Sequence, residues 1–248
     1  GDAFKFIMEI EGYEFREALE NLANRVGVEL KREVSGVKGE RDTMYAIMDE
    51  AAKFFENHLA GEAAAYLKNR GLSDETIREF RLGYASDDWR TLFNHLASRG
   101  FKEFDIEKTG LIIKKDGGGY FDRFRGRIMF PIFNQSGKII AFGGRIFPEK
   151  ADMAKYINSP ETALYQKSKT LYGIHKSKIE ILRAESCVVV EGYMDFLMGY
   201  QAGTKNMVAS SGTALTEDHL KTLRRLCDKI TVAFDMDKAG ETASKRGI

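Results

Sequence analysis

The sequence predicts an α/β protein, α+β overall, in which a mixed helical and antiparallel part precedes a parallel sheet. Three observations predict it. Apolar residues recur at helical spacing through most of residues 1–100, and short strands joined by glycine-containing turns follow over 109–147. From residue 180 onward, continuous apolar strands alternate with helices. Such strands are typical of a parallel sheet that helices cover on both faces.

The helical part is predicted from periodicity and from its stop signals. Two short helices precede KREVSGVKGERD (31–42), a polar segment with almost no apolar periodicity that we expect to be a linker. Apolar side chains between Met44 and Leu59 then share one helical face. Ser73 is placed to cap the next helix.

The middle and the end of the chain carry the strands. LIIKK, RIMFPIF and KIIAFGG within 109–147 predict an antiparallel sheet rich in arginine. Pro131 has no backbone N–H, so its strand is expected at an edge or beside a bulge. CVVVEG (187–192), NMVASSG (206–212) and KITVAFD (229–235) are the three predicted parallel strands.

Composition excludes several classes of protein. The chain has 248 residues, of which 43% are hydrophobic and 30% are charged, as in a globular protein. No apolar run approaches the roughly 20 residues of a membrane span, and the N-terminus does not resemble a secretory signal. The cysteines, Cys187 and Cys227, give neither a disulfide framework nor a zinc pattern. We therefore expect a cytoplasmic protein without a membrane partner.

The net charge of +1 conceals a basic block. Residues 114–178 carry 13 Lys and Arg against 5 Asp and Glu, whereas the segments on either side are net acidic. A basic block of this size suits a polyanion such as a nucleic acid. A merely solvated basic face is the alternative.

Acidic residues end two of the predicted parallel strands. Glu191 follows one strand, Asp235 ends another, and Asp237 comes two residues later. Ligands of open α/β sheets bind outside the carboxyl ends of the strands, where these carboxylates would converge. Hard oxygen donors of this kind suit Mg²⁺. Each acid, taken alone, could instead cap a helix.

Three segments carry a resemblance to a known domain. The segments resemble the Toprim domain, which bacterial primases, topoisomerases and some nucleases share: VVVEGYMD (188–195), ASSGTALTEDHL (209–220) and AFDMDKAG (233–240). The resemblance implies that Glu191 is a catalytic acid/base, that Asp235 and Asp237 are catalytic metal ligands, and that Asp195 is an acid near the metal. Glu191 could equally be a metal ligand. The implied cofactor is Mg²⁺ or Mn²⁺.

Other segments resemble the bacterial replicative primases of the DnaG family. They are GDAFKFIMEIEGYEFREAL (1–19), YLKNRGLSDETIREFRLGYA (66–85), DRFRGRIMFPI (122–132), AFGGR (141–145) and KYINSPETALYQKSKTLYG (155–173). This resemblance implies that Lys155 and Lys167 contact the template or the incoming nucleotide. It implies further nucleic-acid or nucleotide contacts for Lys169, Arg70, Arg125, Arg127 and Arg145, and a groove-shaping loop at Asn158 and Ser159. Aromatic residues of the basic block could stack on bases, although most are expected in the core: Phe121, Phe124, Tyr156, Tyr165 and Tyr172.

The resemblance also implies a division of the chain. Residues 1–40 would be a helical tail after a zinc ribbon, plus a linker, and 41–180 the basic N-terminal subdomain of the polymerase core. Residues 181–248 would be a Rossmann-like Toprim sheet, truncated at its C-terminus. The zinc ribbon and the helicase-binding region are expected outside this sequence, so Zn²⁺ would belong to the parent protein.

The implied function is DNA-directed synthesis of short RNA primers on single-stranded DNA during replication. Expected partners are the template, ribonucleoside triphosphates, the RNA primer/DNA hybrid and a replicative helicase, at the replication fork of a bacterial nucleoid. A phage or plasmid primase, possibly fused to a helicase, and a non-catalytic single-stranded-DNA-binding fragment remain alternatives. A topoisomerase or nuclease with a Toprim domain is disfavoured by KYINSPET and DRFRGR.

Overall fold

The structure is a computed structural model that describes residues 2–11, 15–28 and 36–234. The helices are α1 (Ala3–Glu11), α2 (Phe15–Arg25), α3 (Gly36–His58), α4 (Gly61–Asn69), α5 (Asp74–Glu79), α6 (Thr91–Ser98), α7 (Glu103–Lys108), α8 (Ile174–Ala184), α9 (Tyr193–Gln201) and α10 (Glu217–Arg224). The strands are β1 (Gly83–Ala85), β2 (Ile112–Lys114), β3 (Tyr120–Asp122), β4 (Arg127–Phe133), β5 (Ile139–Ile146), β6 (Tyr156–Asn158), β7 (Ser186–Val190), β8 (Met207–Ala209) and β9 (Lys229–Ala233).

The described chain forms two compact units. The antiparallel unit comprises residues 37–132 and 139–167, and the parallel unit comprises the described parts of 1–36, 133–138 and 168–248. The predicted fold class is confirmed, because short antiparallel strands and helices precede a parallel sheet. The predicted boundaries after residues 40 and 180 stay a prediction. None of the described helices is long and apolar enough to cross a membrane.

The antiparallel unit is built on a four-stranded sheet. Its strand order is β1-β4-β5-β6, and β4 and β5 are buried along their whole length. Helix α3 packs on this sheet: the Phe55 ring meets the Phe142 ring edge-on, with centroids 5.3 Å apart. Both side chains are almost completely buried, so this contact lies in the core of the unit.

Strand β1 approaches helix α3 so closely that only glycine fits at its first position. A Cβ at Gly83 would lie 2.5 Å from the carbonyl carbon and the Cβ of Phe55. Backbone atoms at that distance cannot move aside as a flexible side chain would. Gly83 therefore sets how near the edge of the sheet lies to α3.

We predict that Gly83→Ala destabilises the protein by about 1–3 kcal/mol or more, because the added methyl group overpacks the contact with Phe55. Gly117→Ala is the matched control, since a Cβ there meets nothing within 4 Å. Denaturant unfolding measures both variants. Equal midpoints for Gly83→Ala and the wild type would contradict the close approach.

The predicted linker is wrong from Gly36 onward, where α3 begins. The earlier part of segment 31–42 lies outside the described residues. Gly36 and Gly39 disfavour a helix, because a glycine in a helix interior is about 1 kcal/mol less favourable than an alanine. A tertiary contact supports these turns, because Lys108 on α7 forms an ion pair with Glu40. That contact joins residues far apart in sequence, so periodicity does not reveal it.

The sheet order qualifies the prediction for Pro131. Strand β4 lies between β1 and β5, so by strand order it is not an edge. Strand β1, however, pairs with β4 only as far as Gly83 and Met129. Beyond that pair no described strand lies on the β1 side, and this is where Pro131 occurs. A residue without an N–H is tolerated there.

The cap predicted at Ser73 is confirmed, since the Ser73 hydroxyl accepts a hydrogen bond from the Thr76 N–H at 3.1 Å.

A buried carboxylate joins the β2–β3 hairpin to helix α6. The Asp122 carboxylate accepts hydrogen bonds from the backbone N–H groups of Leu92 (2.9 Å) and Phe93 (3.0 Å), two unpaired donors of the first turn of α6. Burial raises the pKa of Asp122 from 3.8 to about 6, although these N–H groups oppose the shift. The hairpin is thus held against α6 by a side chain that is 2% exposed.

We predict that Asp122 makes the free energy of unfolding fall as the pH rises from about 4 to about 6. In that range the folded state holds a proton that the unfolded state has released, because the folded pKa is the higher one. The total fall across this range amounts to at most about 3 kcal/mol. Asp122→Asn stays neutral and should remove it. Unfolding curves measured across this pH range would contradict the assignment if both proteins showed the same slope.

The parallel unit is a three-stranded sheet with order β8-β7-β9. Both neighbours of β7 run parallel to it, as predicted. Apolar side chains of β7, α8 and α10, including Val189, Ile181 and Leu223, share one core. Only glycine fits at position 173, directly before α8. A Cβ at Gly173, whose φ is +84°, would lie 2.1 Å from the Phe196 ring of α9.

Candidate nucleic-acid interface and metal-binding edge

Two arginines and two tyrosines form one cluster on the antiparallel unit. The guanidinium carbon of Arg145 lies 5.1 Å from the ring centroid of Tyr66 and 5.5 Å from that of Tyr156. Arg145 Nη1 also donates to the Tyr156 hydroxyl at 3.3 Å. Arg70 Nη1 donates to the Tyr66 hydroxyl at 3.2 Å. We call these four residues the arginine–tyrosine cluster.

The arginines of the cluster differ in their access to solvent. Arg145 is 4% exposed and donates to Glu149 through Nη2, whereas Arg70 is exposed. Burial opposes the charge of Arg145, but the hydrogen bond to Tyr156 and nearby charges raise its pKa above the ordinary value. Arg145 therefore holds Tyr156 in place. Of the two arginines, Arg70 is the one that a phosphate can reach directly.

Arg127 is placed in the core rather than on the surface. It is 3% exposed, and its Nη1 donates to the carbonyl oxygens of Gly144 and Ala154, each at 3.0 Å. These bonds tie the segment before β6 to β5. The Lys155 carbonyl accepts from the Ile146 N–H at 2.9 Å, so the backbone of Lys155 is fixed while its side chain stays exposed. A nucleic-acid contact by Arg127 itself would require it to give up its carbonyl partners.

The structure places the other predicted contact residues as follows. Arg125 is partly buried, and its guanidinium carbon lies 4.2 Å from the Trp89 ring centroid. Asn158 ends β6 opposite Gly143. Lys167 is partly buried and Lys169 is exposed, at the two ends of one 3-10 turn. Their contact roles stay predictions.

The aromatic residues of the basic block divide into core and surface. Phe124, Tyr165 and Tyr172 are each at most 2% exposed and belong to the core, as expected for most of the set. Tyr156 is 36% exposed and Phe121 is partly buried. Sequence reasoning missed Tyr66, although it lies four residues before Arg70 on helix α4, the spacing at which helical side chains meet.

The predicted metal-binding edge lies in the parallel unit. Val190 of β7 pairs with Ala233 of β9, so the two strands reach the carboxyl edge together and Glu191 follows directly. The Glu191 carbonyl accepts hydrogen bonds from the N–H groups of Ser211 (2.9 Å) and Gly212 (3.4 Å). These bonds fix the backbone of Glu191 at the edge.

A second carboxylate lies beside Glu191. Asp195, in the first turn of α9, accepts a hydrogen bond from the Gly192 N–H at 3.1 Å, and its side chain is exposed. A Cβ at Gly192 would lie 2.8 Å from Asp195 Oδ2, so glycine admits this approach. Asp195 therefore serves as a helix cap, which leaves one carboxylate oxygen outside this bond.

The two other predicted ligands, Asp235 and Asp237, lie outside the described residues. Among residues 2–11, 15–28 and 36–234, no group of three His, Cys, Asp or Glu side chains could hold a metal ion. The described part contributes two carboxylates at one edge. Carboxylate oxygens are hard donors, and this chemistry fits a divalent cation such as Mg²⁺ or Mn²⁺.

Two family models match the chain. Residues 52–178 match the model described as the N-terminal domain of the DNA primase catalytic core, and residues 188–248 match the model described as Toprim-like. The first match covers the arginine–tyrosine cluster and the second covers Glu191 and Asp195. Both regions in which candidate residues were predicted therefore fall within known families.

Known proteins match over nearly all of the chain. A DNA primase of Deinococcus radiodurans is 41% identical over 250 residues, which cover 100% of this chain and 43% of the relative. The zinc-binding and RNA polymerase domains of the Aquifex aeolicus primase align with a TM-score of 0.78 and 32% identity, covering 99% of this chain and 60% of that one. A DnaG primase catalytic domain bound to single-stranded DNA aligns with a TM-score of 0.75 and 34% identity, covering 84% and 68%.

The fold defines a class: a Toprim-like sheet that follows a basic antiparallel subdomain in the chain, as in the RNA polymerase domains of primases. The chain belongs to the DnaG family of bacterial DNA primases. It spans about two fifths of the length of the curated primases it matches.

We predict that Arg70→Ala weakens binding of single-stranded DNA about 5- to 10-fold, equally for different sequences, because it removes the predicted phosphate contact. The slope of log K against log salt should fall by about one. Arg183→Ala is the control, an exposed arginine of α8 paired with Glu180 at 2.7 Å. Titration by fluorescence anisotropy at several salt concentrations tests this. Identical affinities and slopes for Arg70→Ala and the wild type would refute the contact.

Proposed function

We propose that this chain carries the polymerase core of a DNA primase, which joins ribonucleotides on a single-stranded DNA template into short RNA primers. The observation that carries the proposal is the arginine–tyrosine cluster, which joins α4 to strands β5 and β6. The chain that holds this cluster aligns over its whole length with DNA primases. A relative in the same family is bound to single-stranded DNA, which supports this substrate.

Template binding follows from the chemistry of the cluster. Arg70 and Lys155 are exposed cations that can contact successive phosphates. Tyr156, held by Arg145, offers an aromatic ring on which an unpaired base can stack. Such contacts read little sequence, which suits an enzyme that copies many templates.

We propose that Glu191 and Asp195, with Asp235 and Asp237, hold Mg²⁺ or Mn²⁺. A bound divalent ion would stabilise the charge that develops on the reacting phosphate and would lower the pKa of the attacking 3′-hydroxyl. Glu191 is fixed by its backbone at the carboxyl edge of β7, where it can bind the ion or accept a proton. The incoming ribonucleoside triphosphate and the primer–template hybrid are the proposed reaction partners.

Zinc is not assigned to the cysteines of this chain. Cys187 and Cys227 are buried, and burial raises the pKa of the Cys187 thiol to about 12, which disfavours the thiolate that a metal needs. A zinc-binding domain occurs in the Aquifex aeolicus relative. We assign Zn²⁺ to such a domain, and we expect the reaction at a bacterial replication fork in the cytoplasm, with a replicative helicase as partner.

We predict that Asp235→Asn or Asp237→Asn abolishes primer synthesis, because each removes a charged ligand. Ribonucleotide incorporation on a single-stranded template would be measured for this chain and for a longer version extended at its carboxyl end. Asp228→Asn is the matched control, an exposed acid directly before β9. Thermal unfolding would show whether each variant keeps its fold.

Separate readouts distinguish the parts of this proposal. Manganese binding followed by electron paramagnetic resonance should weaken in Asp235→Asn and stay unchanged in Asp228→Asn. Full incorporation by Asp235→Asn would overturn the metal assignment. Absence of incorporation by both chain lengths, with DNA binding intact, would overturn the primase proposal.

A further inference from the structure

The hydroxyl group of Thr216 makes two hydrogen bonds with different parts of the parallel unit. As the N-cap of α10, it accepts a hydrogen bond from the His219 N–H at 3.1 Å. It also donates a hydrogen bond to the carbonyl oxygen of Ser168 at 2.5 Å. The first bond satisfies a backbone N–H at the start of the helix, as a cap does. The second joins residues 48 positions apart in sequence, and capping does not require it.

Ser168 is the central residue of a short turn that carries two lysines. Residues Lys167–Lys169 form one 3-10 turn, and we call these three residues the lysine turn. The side chain of Lys169 is exposed. The sequence predicts that both lysines bind a nucleic acid or a nucleotide, yet it gives no sign of what holds the turn in place.

The backbone pairing after the lysine turn shows where the turn lies. Tyr172 and Ala209 of β8 form an antiparallel bridge, with N–H to carbonyl distances of 2.9 and 3.0 Å in the two directions. Because the pairing is antiparallel, the residues before Tyr172 run past the carboxyl end of β8. The bond between Thr216 and Ser168 agrees with this direction, since Thr216 follows β8 in the chain. Ser168 and Lys169 therefore lie at the carboxyl edge of the parallel sheet.

The segment that holds the lysine turn also holds Glu191. We call residues 210–216 the β8–α10 connection. Its Ser211 and Gly212 N–H groups donate to the Glu191 carbonyl at 2.9 and 3.4 Å. Ser211 and Leu215 are each 7% exposed, so the connection is packed against the unit. One packed connection thus fixes the backbone of Glu191 and, through Thr216, the lysine turn.

We propose that Thr216 is a positioning residue for the lysine turn. Its bond to Ser168 holds Lys169 at the metal-binding edge, where the ammonium group binds the triphosphate of the incoming ribonucleotide. The inference rests on the proposed function, which brings the reacting nucleotide to this edge. It adds Thr216, which contacts no substrate itself.

Charge favours a triphosphate over a nucleic-acid strand as the ligand of Lys169. Glu191 and Asp195 bring negative charge to the edge, which repels a phosphate unless a cation lies between them. A divalent ion at such a site is held by a few carboxylates together with substrate phosphates. Phosphate oxygens that do not bind the ion need a second cation, and a lysine ammonium group binds them as a point charge.

The kinetics of ribonucleotide incorporation test the positioning role. The assay uses the chain extended at its carboxyl end, on a single-stranded template. Thr216→Val keeps the shape of the side chain but removes both hydrogen bonds of the hydroxyl. We expect KM for the ribonucleoside triphosphate to rise about 3- to 10-fold, the effect of one lost hydrogen bond, with little change in kcat. Thr216→Ser keeps the hydroxyl and should restore the wild-type KM. A wild-type KM in Thr216→Val would overturn the proposal.

Ser73→Ala is the matched control for the lost helix cap. The Ser73 hydroxyl caps α5 in the antiparallel unit by accepting from the Thr76 N–H at 3.1 Å. Loss of either cap lowers stability, so both variants should unfold at a lower denaturant concentration than the wild type. Only Thr216→Val should show the raised KM. An equal rise in KM in Ser73→Ala would show a general effect of lost stability and would overturn the positioning role.

A double-mutant cycle tests whether Thr216 acts through Lys169. Lys169→Ala should raise KM about 10- to 100-fold, as expected for a lost hydrogen bond between charged groups. In the Lys169→Ala background, Thr216→Val should raise KM no further, because the group that it positions is already gone. Two effects that multiply would show that the residues act independently. That result, or a wild-type KM in Lys169→Ala, would overturn the proposal.

Equilibrium binding gives a readout that does not depend on turnover. Isothermal titration calorimetry with an α,β-methylene analogue of ATP and Mn²⁺ should show the Kd raised in Thr216→Val and restored in Thr216→Ser. A wild-type Kd in Thr216→Val, with incorporation still abolished by Asp235→Asn, would overturn the positioning role and leave the primase proposal standing. Absence of both incorporation and analogue binding in the unmodified extended chain would overturn both.

Discussion

The hydrogen bonds of the buried Arg127 guanidinium are the interaction on which the proposed nucleic-acid surface depends. Burial lowers the pKa of this group, and the nearby charge of Arg125 adds to the effect. A buried cation must be matched by hydrogen-bond acceptors, and the carbonyls of Gly144 and Ala154 supply them. This requirement draws the segment before β6 against β5 and so places Lys155 and Tyr156.

The arginines of the basic block therefore have two kinds of task. Arg127 and Arg145 are almost completely buried and hold backbone or aromatic groups in position. Arg70 and Arg125 keep surface that a ligand can reach. Residues on a rigid support lose little conformational entropy when a ligand binds. The function of the buried arginines is therefore to hold the exposed residues in position, rather than to bind a ligand through their charge.

Much of the fold could be predicted from local signals. The parallel sheet follows from continuous apolar strands, and the cap at Ser73 follows from residue type and position. Strands β1 and β6, three residues each, were not predicted, because their pairing with β4 and β5 supplies what their short sequences lack. The start of α3 was misjudged for the same reason, since a partner on α7 supports it.

The sequence by itself determined the order of elements, the basic block, and the position of Glu191 at the end of an apolar strand. Periodicity and residue type involve only a few neighbouring residues, so the elements that they determine can be predicted from the sequence. Only the tertiary structure decided which arginines are buried, that Tyr66 joins Arg70 and Arg145, and that Trp89 lies beside Arg125. Burial and stacking depend on residues brought together from distant segments, and the local pattern carries no record of those partners.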